Sequence, residues 1–181
     1  MVSAVVLTGA PGAGKSSVLD ALATRLEIEG IAHGAIESEE LGRGAPALPA
    51  LGWIEALAAV LKLQRDAGRR LFLIAATTET GEELSGVLAA ACADRSLVVC
   101  LTAPAGVVAA RLERREPDRW PGKRRLIEHA RALAAAIPRL GGIDLTIDTS
   151  ERDADELTRE VHEQMHARGI LTSSHGSAID P

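Results

Sequence analysis

The sequence predicts an α/β fold, a three-layer α/β/α sandwich around a five-stranded, mainly parallel sheet. Short apolar runs alternate with segments of helical periodicity along the chain, and such alternation builds crossover connections and parallel strands. LFLIAA at 71–76 is apolar without a break, which suits a strand covered on both faces, and SLVVCLT at 96–102 reads as another buried strand. The 181 residues, 46% hydrophobic and 25% charged, suffice for one domain with a real core.

The first strand spans 2–8. A helix follows over 15–29, with Val18, Leu19, Leu22 and Leu26 on one face and Gly30 as its stop. The second strand, 31–37, is weaker. Gly and Pro make 41–52 a loop. A helix over 53–67 leads to the strand at 71–76, and another over 81–93 leads to 96–102. Pro104 suits the first turn of the next helix, which runs to Glu116. Pro117 and Pro121 interrupt the pattern around Trp120, and a fifth helix covers 123–137. IDLTID at 143–148 alternates apolar and polar residues, as a sheet-edge strand does. Ser150 is the expected cap of the last helix, and the small, polar residues 169–181 read as a flexible tail.

The net charge of −5 argues against nucleic acid as a main partner. The opening apolar run stops at Thr8, with no basic region before it and no small-residue cleavage site after it. No membrane association and a cytoplasmic location are therefore expected. Cys92 and Cys100 have no metal-type spacing and are expected to be two buried, reduced thiols. The rule that ligands bind beyond the carboxyl ends of strands places Thr8–Ser16, Glu37, Thr77–Thr80, Thr102 and Thr149 on one rim.

Residues 9–16, Gly9-Ala10-Pro11-Gly12-Ala13-Gly14-Lys15-Ser16, match G-x-x-x-x-G-K-[ST] completely, between a strand and a helix. Glycines let the backbone close around phosphate oxygens, and successive N–H groups with the helix N-terminus face the anion. Lys15 is expected at the β- and γ-phosphates, Ser16 at Mg²⁺, and Ser17 at the α-phosphate. The chain thus resembles the P-loop nucleoside-triphosphate-binding proteins. It carries neither the N/T-K-x-D nor the D-x-x-G motif of GTPases, and it is too short for an AAA+ machine.

What remains is a resemblance to the compact small-molecule kinases, which include adenylate, shikimate, gluconate and adenylylsulfate kinases and chloramphenicol phosphotransferase. It implies sheet order 2-3-1-4-5, a domain over 1–168 and a lid at about 113–124. ARLERREPDRWPGKRR, residues 110–125, holds Arg111, Arg114, Arg115, Arg119, Lys123, Arg124 and Arg125 and is similar to such a lid. Arg111 and Arg115 stand four apart, hence on one helix face. By resemblance, Arg111 stacks on adenine and Arg115 approaches the transferring phosphate. IDTS at 147–150 resembles the loop beside the adenine ring and brings in Thr149.

These kinases usually place a carboxylate after the second strand. Here the stretch is AIESEEL, and Glu37 is the candidate catalytic base or Mg²⁺-water ligand, with Glu39 and Glu40 behind it. The Asp expected after the third strand is missing. TTET offers Glu79, which either reaches the metal through water or belongs to the cap of the next helix. His33 reads as a surface residue, His129 as structural, and Trp53 as core or a stacking platform. Arg43 is the one charge in the apolar 41–52 loop.

The expected activity is ATP- and Mg²⁺-dependent transfer of the γ-phosphoryl group to a small-molecule acceptor, a nucleoside, nucleotide, sugar acid or antibiotic-like hydroxyl, by a monomer or homodimer. The alternatives are a nucleotide-binding regulatory protein with little turnover and an acceptor-independent ATPase.

Overall fold

The computed structural model describes residues 1–171 except Ala45, Ala47 and Ala50. The order of elements is β1 (Ser3–Thr8), α1 (Lys15–Ile28), β2 (Gly34–Glu37), α2 (Ser38–Leu41), α3 (Gly52–Asp66), β3 (Leu71–Ala75), α4 (Gly81–Ala91), β4 (Arg95–Thr102), α5 (Ala105–Arg115), α6 (Lys123–Ala136), a 3-10 turn (Ile137–Arg139), β5 (Leu145–Asp148) and α7 (Ala154–Ala167). The five strands form one sheet in the order β2-β3-β1-β4-β5, and every pairing is parallel.

The pleat of β1 divides the core. Val5 and Leu7 join Leu73, Val99 and Ile147 on one face, covered by Val18, Leu22 and Leu26 of α1 and Val161 and Met165 of α7. Ala4 and Val6 join Phe72, Ile74 and Val98 on the other, covered by Leu57 and Leu61 of α3 and Leu84 and Val87 of α4. Alternate residues of a strand point to opposite faces, so an all-apolar strand needs a helical layer on each side. At the edge, β5 exposes Thr146 and Asp148 and buries Ile147, as its alternating sequence predicts.

The structure corrects several local expectations. Ser150 does not cap the last helix. Asp153 does, accepting from the Glu156 N–H at 2.9 Å while Glu156 reaches back to the Asp153 N–H, a reciprocal capping box. Ser150 instead donates its N–H and hydroxyl to Asp148. Cys92 is not buried. It follows α4 as an exposed cap in the left-handed region, at φ 46°. Cys100 is buried in β4, and burial pushes its thiol up to about 11. Pro104 is the cap of α5 rather than part of its first turn. Residues 38–41 form the short helix α2.

The expected tail at 169–181 falls largely outside the described residues. At its start the chain is still packed. Leu171 is buried in the core beside α7, and Arg95 donates to the Gly169 carbonyl at 2.6 Å. No helix among the described residues is long and apolar enough to cross a membrane.

Candidate nucleotide and acceptor sites

The loop between β1 and α1 is shaped by three glycines at positive φ: Gly9 at 143°, Gly12 at 84° and Gly14 at 101°. Gly9 lies against the end of β4 and Gly12 against α5. A Cβ on Gly9 would run into the Leu101 carbonyl oxygen, and one on Gly12 would sit 2.9 Å from the Val108 carbonyl oxygen. Gly14 has open space around it and is the left-handed cap of α1. The helix has no side-chain cap, so its first N–H groups are free for an anion.

Residues 11–17 line one cavity of about 530 Å³, together with Glu37, Arg111, Arg115 and Thr149. Gly9 and Ala10 lie behind it, and their carbonyls accept from Lys15 Nζ at 3.1 and 3.4 Å. The expected site residues of the loop, of β2, of α5 and of the end of β5 are therefore brought together. The carboxyl ends of parallel strands all meet this rim.

Lys15 is buried. Its ammonium donates to Thr77 Oγ1 at 2.8 Å and lies 3.3 Å from Glu39 Oε1. Burial lowers its pKa from the ordinary lysine value, and the Glu39 carboxylate only partly offsets this. Burial pushes Glu39 up, but Lys15, the Thr77 hydroxyl and Arg115 outweigh it and hold the carboxyl below its ordinary range. The contribution of the Glu39 carboxylate to stability is therefore present above the ordinary carboxylate pKa and lost as pH falls through the lowered value, whereas the buried Lys15 ammonium costs stability while it stays charged.

Ser16 Oγ donates to Glu37 Oε1 at 2.5 Å. A hydroxyl and a carboxylate at the mouth of a phosphate cavity are hard oxygen donors, the type Mg²⁺ takes alongside phosphate oxygens. No group of three or more His, Cys, Asp or Glu side chains gathers into a metal cage among the described residues. At the end of β3, where an Asp was expected, Thr78 is buried and shares a 2.7 Å hydrogen bond with Thr8. Glu79 pairs with His129 on α6, 2.8 Å apart, and Thr80 is the cap of α4.

Arg111 is held rigidly. Its guanidinium donates to the Gly12 carbonyl at 3.2 Å, to Thr149 Oγ1 at 2.9 Å and to the Thr149 carbonyl at 2.6 Å. Thr149 is buried, and its hydroxyl lies 3.0 Å from the Ala13 carbonyl and 3.1 Å from that of Thr102. These contacts tie α5, the loop after β5 and the phosphate loop together. Arg115 faces the same cavity and pairs with Glu116 at 2.7 Å. The other basic residues divide. Lys123 is turned inward, donating to the Glu113 carbonyl and to Asp118, both at 2.7 Å. Arg124 pairs along the surface with Glu128.

Beside the phosphate cavity lies a second one of about 400 Å³, lined by Glu39, Glu40, Arg43, Trp53, Thr77 and Glu79 among others. Glu39 lines both cavities. Nothing in the order S-E-E distinguished Glu39 from Glu40. Only the turn of α2 does so, by aiming Glu39 at Lys15 and Thr77 while Glu40 pairs with Arg43 at 3.0 Å. Trp53 is half-buried against the core and also forms a wall of this cavity.

The chain matches no protein-family model and no curated protein. Solved structures do match it along nearly their whole length. An APS kinase from Mycobacterium tuberculosis, in complex with AMPPNP and APS, is 22% identical at a TM-score of 0.67 and covers 91% of this chain and 98% of its own. A gluconokinase from Sinorhizobium meliloti 1021 is 23% identical at 0.63, over 96% and 98%. A shikimate kinase from Acinetobacter baumannii, in complex with shikimate, is 18% identical at 0.54, over 94% and 97%. The fold is that of the P-loop small-molecule kinases. Within this P-loop kinase fold, the chain carries the full phosphate-loop motif and the sheet order implied by its sequence.

Proposed function

We propose that the protein is an ATP- and Mg²⁺-dependent kinase that transfers the γ-phosphoryl group to a hydroxyl of a small molecule. The observation that carries this reading is the pair of adjoining cavities sharing Glu39, one at the phosphate loop and one beside it. The second adjoins the phosphate loop, where an acceptor would have to lie to meet the γ-phosphoryl group.

In this reading ATP replaces the internal partners of Lys15. Its phosphates lie on the N–H groups of residues 12–17, and Lys15 neutralises the β- and γ-phosphates. Ser16 and Glu37 hold Mg²⁺, directly or through its water. The ion, when bound, draws charge from the phosphoryl oxygens. Arg111 presents its flat guanidinium to the base, and Arg115 swings from Glu116 to the transferring group. Glu39 orients the acceptor hydroxyl. The hydroxyl oxygen bonds to the γ-phosphorus as the bond to the β,γ-bridging oxygen breaks, and that electron pair leaves on ADP. The hydroxyl proton passes to the Glu39 carboxylate and then to water. In a loose transition state the proton moves late, so the orientation that Glu39 gives the hydroxyl matters more than its basicity.

The decisive measurement is ADP release with and without acceptors. Stimulation by an acceptor that emerges phosphorylated supports the kinase. Hydrolysis that no acceptor changes, or tight ATP binding without turnover, overturns it. Two variants probe the roles. Glu39→Gln should lower kcat about 10²-fold or more with little change in the KM for ATP. An unaltered kcat removes Glu39 from the chemistry. Arg111→Ala should raise the Kd for ATP about tenfold, equivalent to ~1.4 kcal/mol, and titration calorimetry reads this directly.

A further inference from the structure

The second cavity has a charge pattern that narrows the acceptor, given the kinase reading above. Its described walls carry three carboxylates, Glu39, Glu40 and Glu79, against one guanidinium, Arg43. Arg43 is the only basic residue between Ser38 and Gly52. It is exposed, and its guanidinium is already engaged by Glu40 at 3.0 Å. Lys15, at the inner end, is buried in the phosphate loop and is the group that would meet ATP. With Lys15 given to ATP, three carboxylates against one guanidinium leave the described walls net negative. Two of these carboxylates are already paired, Glu40 with Arg43 at 3.0 Å and Glu79 with His129 at 2.8 Å, but both pairs are solvent-exposed and readily exchanged. An anionic acceptor has only Arg43 to turn to and otherwise meets like charge, which costs affinity. An ammonium group can exchange into the pairs of Glu40 and Glu79, and it meets the aromatic wall of Trp53, whose face attracts a cation. The volume of about 400 Å³ lies in the range of small-ligand pockets.

We propose that the acceptor carries an ammonium group beside the hydroxyl to be phosphorylated, as an amino sugar, aminocyclitol or amino alcohol does. Glu39 addresses the hydroxyl at the boundary of the two cavities, and Glu40 and Glu79 address the ammonium further out. The bond changes are those of the kinase reaction, and the ammonium stays intact throughout.

The test uses the full chain, ATP, Mg²⁺ and two matched acceptor sets. One is glucosamine, glucose and glucuronate. The other is 2-deoxystreptamine, myo-inositol and shikimate. ADP release gives kcat/KM, and mass spectrometry identifies the phosphorylated product. The ammonium-bearing member of at least one set should exceed its neutral counterpart by about tenfold or more, and its anionic counterpart by more still. If a neutral or anionic member is the best acceptor, the kinase stands and the charge assignment falls. If no member stimulates turnover while ATP still raises the melting temperature, the kinase reading falls and this proposal with it. Glu40→Lys, checked for folding by its melting curve, should shrink the ratio of ammonium to carboxylate acceptors by about tenfold. An unchanged ratio would place acceptor binding elsewhere and overturn the proposal.

Discussion

Lys15→Ala lowers acceptor phosphorylation by about 10³-fold or more, because it removes the cation aimed at the charge that develops on the transferring group. Its effect on the fold is expected to be small and of the opposite kind. Lys15 is buried, and burial depresses its pKa, so the folded protein bears a cost for keeping that ammonium charged. Most of the groups it leaves keep a partner. Glu39 is half exposed and retains the Thr77 hydroxyl, and the Ala10 carbonyl still accepts from the Ala13 N–H at 3.0 Å. The unliganded variant should melt within about 1 kcal/mol of the parent in stability, and ATP should no longer raise its melting temperature. Transfer at the parental rate would refute the mechanism. A collapsed melting temperature would show that Lys15 holds the loop together rather than serving the nucleotide.

Gly9→Ala is the substitution expected to damage the fold most. At φ 143° an L side chain is disfavoured, and the added methyl would be driven into the Leu101 carbonyl of β4. β4 is buried in the sheet and paired on both sides, so it has little room to give. The expected loss is ~3 kcal/mol. Gly14→Ala is the internal control. It shares a positive φ but meets nothing within 4 Å, and its cost should be the backbone term alone, ~1 kcal/mol. Denaturant midpoints of the two variants separate contact from conformation. Equal losses would mean that the approach of Gly9 to β4 is not what confines that position.

The fold and the shape of the phosphate loop were largely legible in the sequence, for different reasons. The central strands declare themselves through apolar runs, since a residue covered on either face must be apolar. Phe72 and Leu73 point to opposite helical layers, yet both are fully buried. The phosphate loop declares itself because its function lies in backbone geometry. The positive φ at positions 9 and 14, the two that the motif fixes, favours glycine, so a spacing of residue types records a shape. Arg111 and Arg115 were paired by helical spacing. The partners of Arg111 at Gly12 and Thr149 lie 99 and 38 residues away, and no local pattern predicts contacts at that separation.

The acceptor half was not legible. The choice between Ser150 and Asp153 as cap turned on where the chain leaves β5, and Asp153 wins because Glu156 can answer it. The difference between Glu37, Glu39 and Glu40 is sharper. All three are carboxylates within four residues, and a sequence assigns them the same chemistry. The extended end of β2 directs Glu37 to Ser16, and the single turn of α2 directs Glu39 to Lys15 and Glu40 to Arg43. By itself the sequence determined that a parallel sheet carries a phosphate loop, because burial and backbone conformation act on residue type directly. Only the tertiary structure decided which carboxylate faces which cavity, because the direction of a side chain depends on the path of the backbone through space.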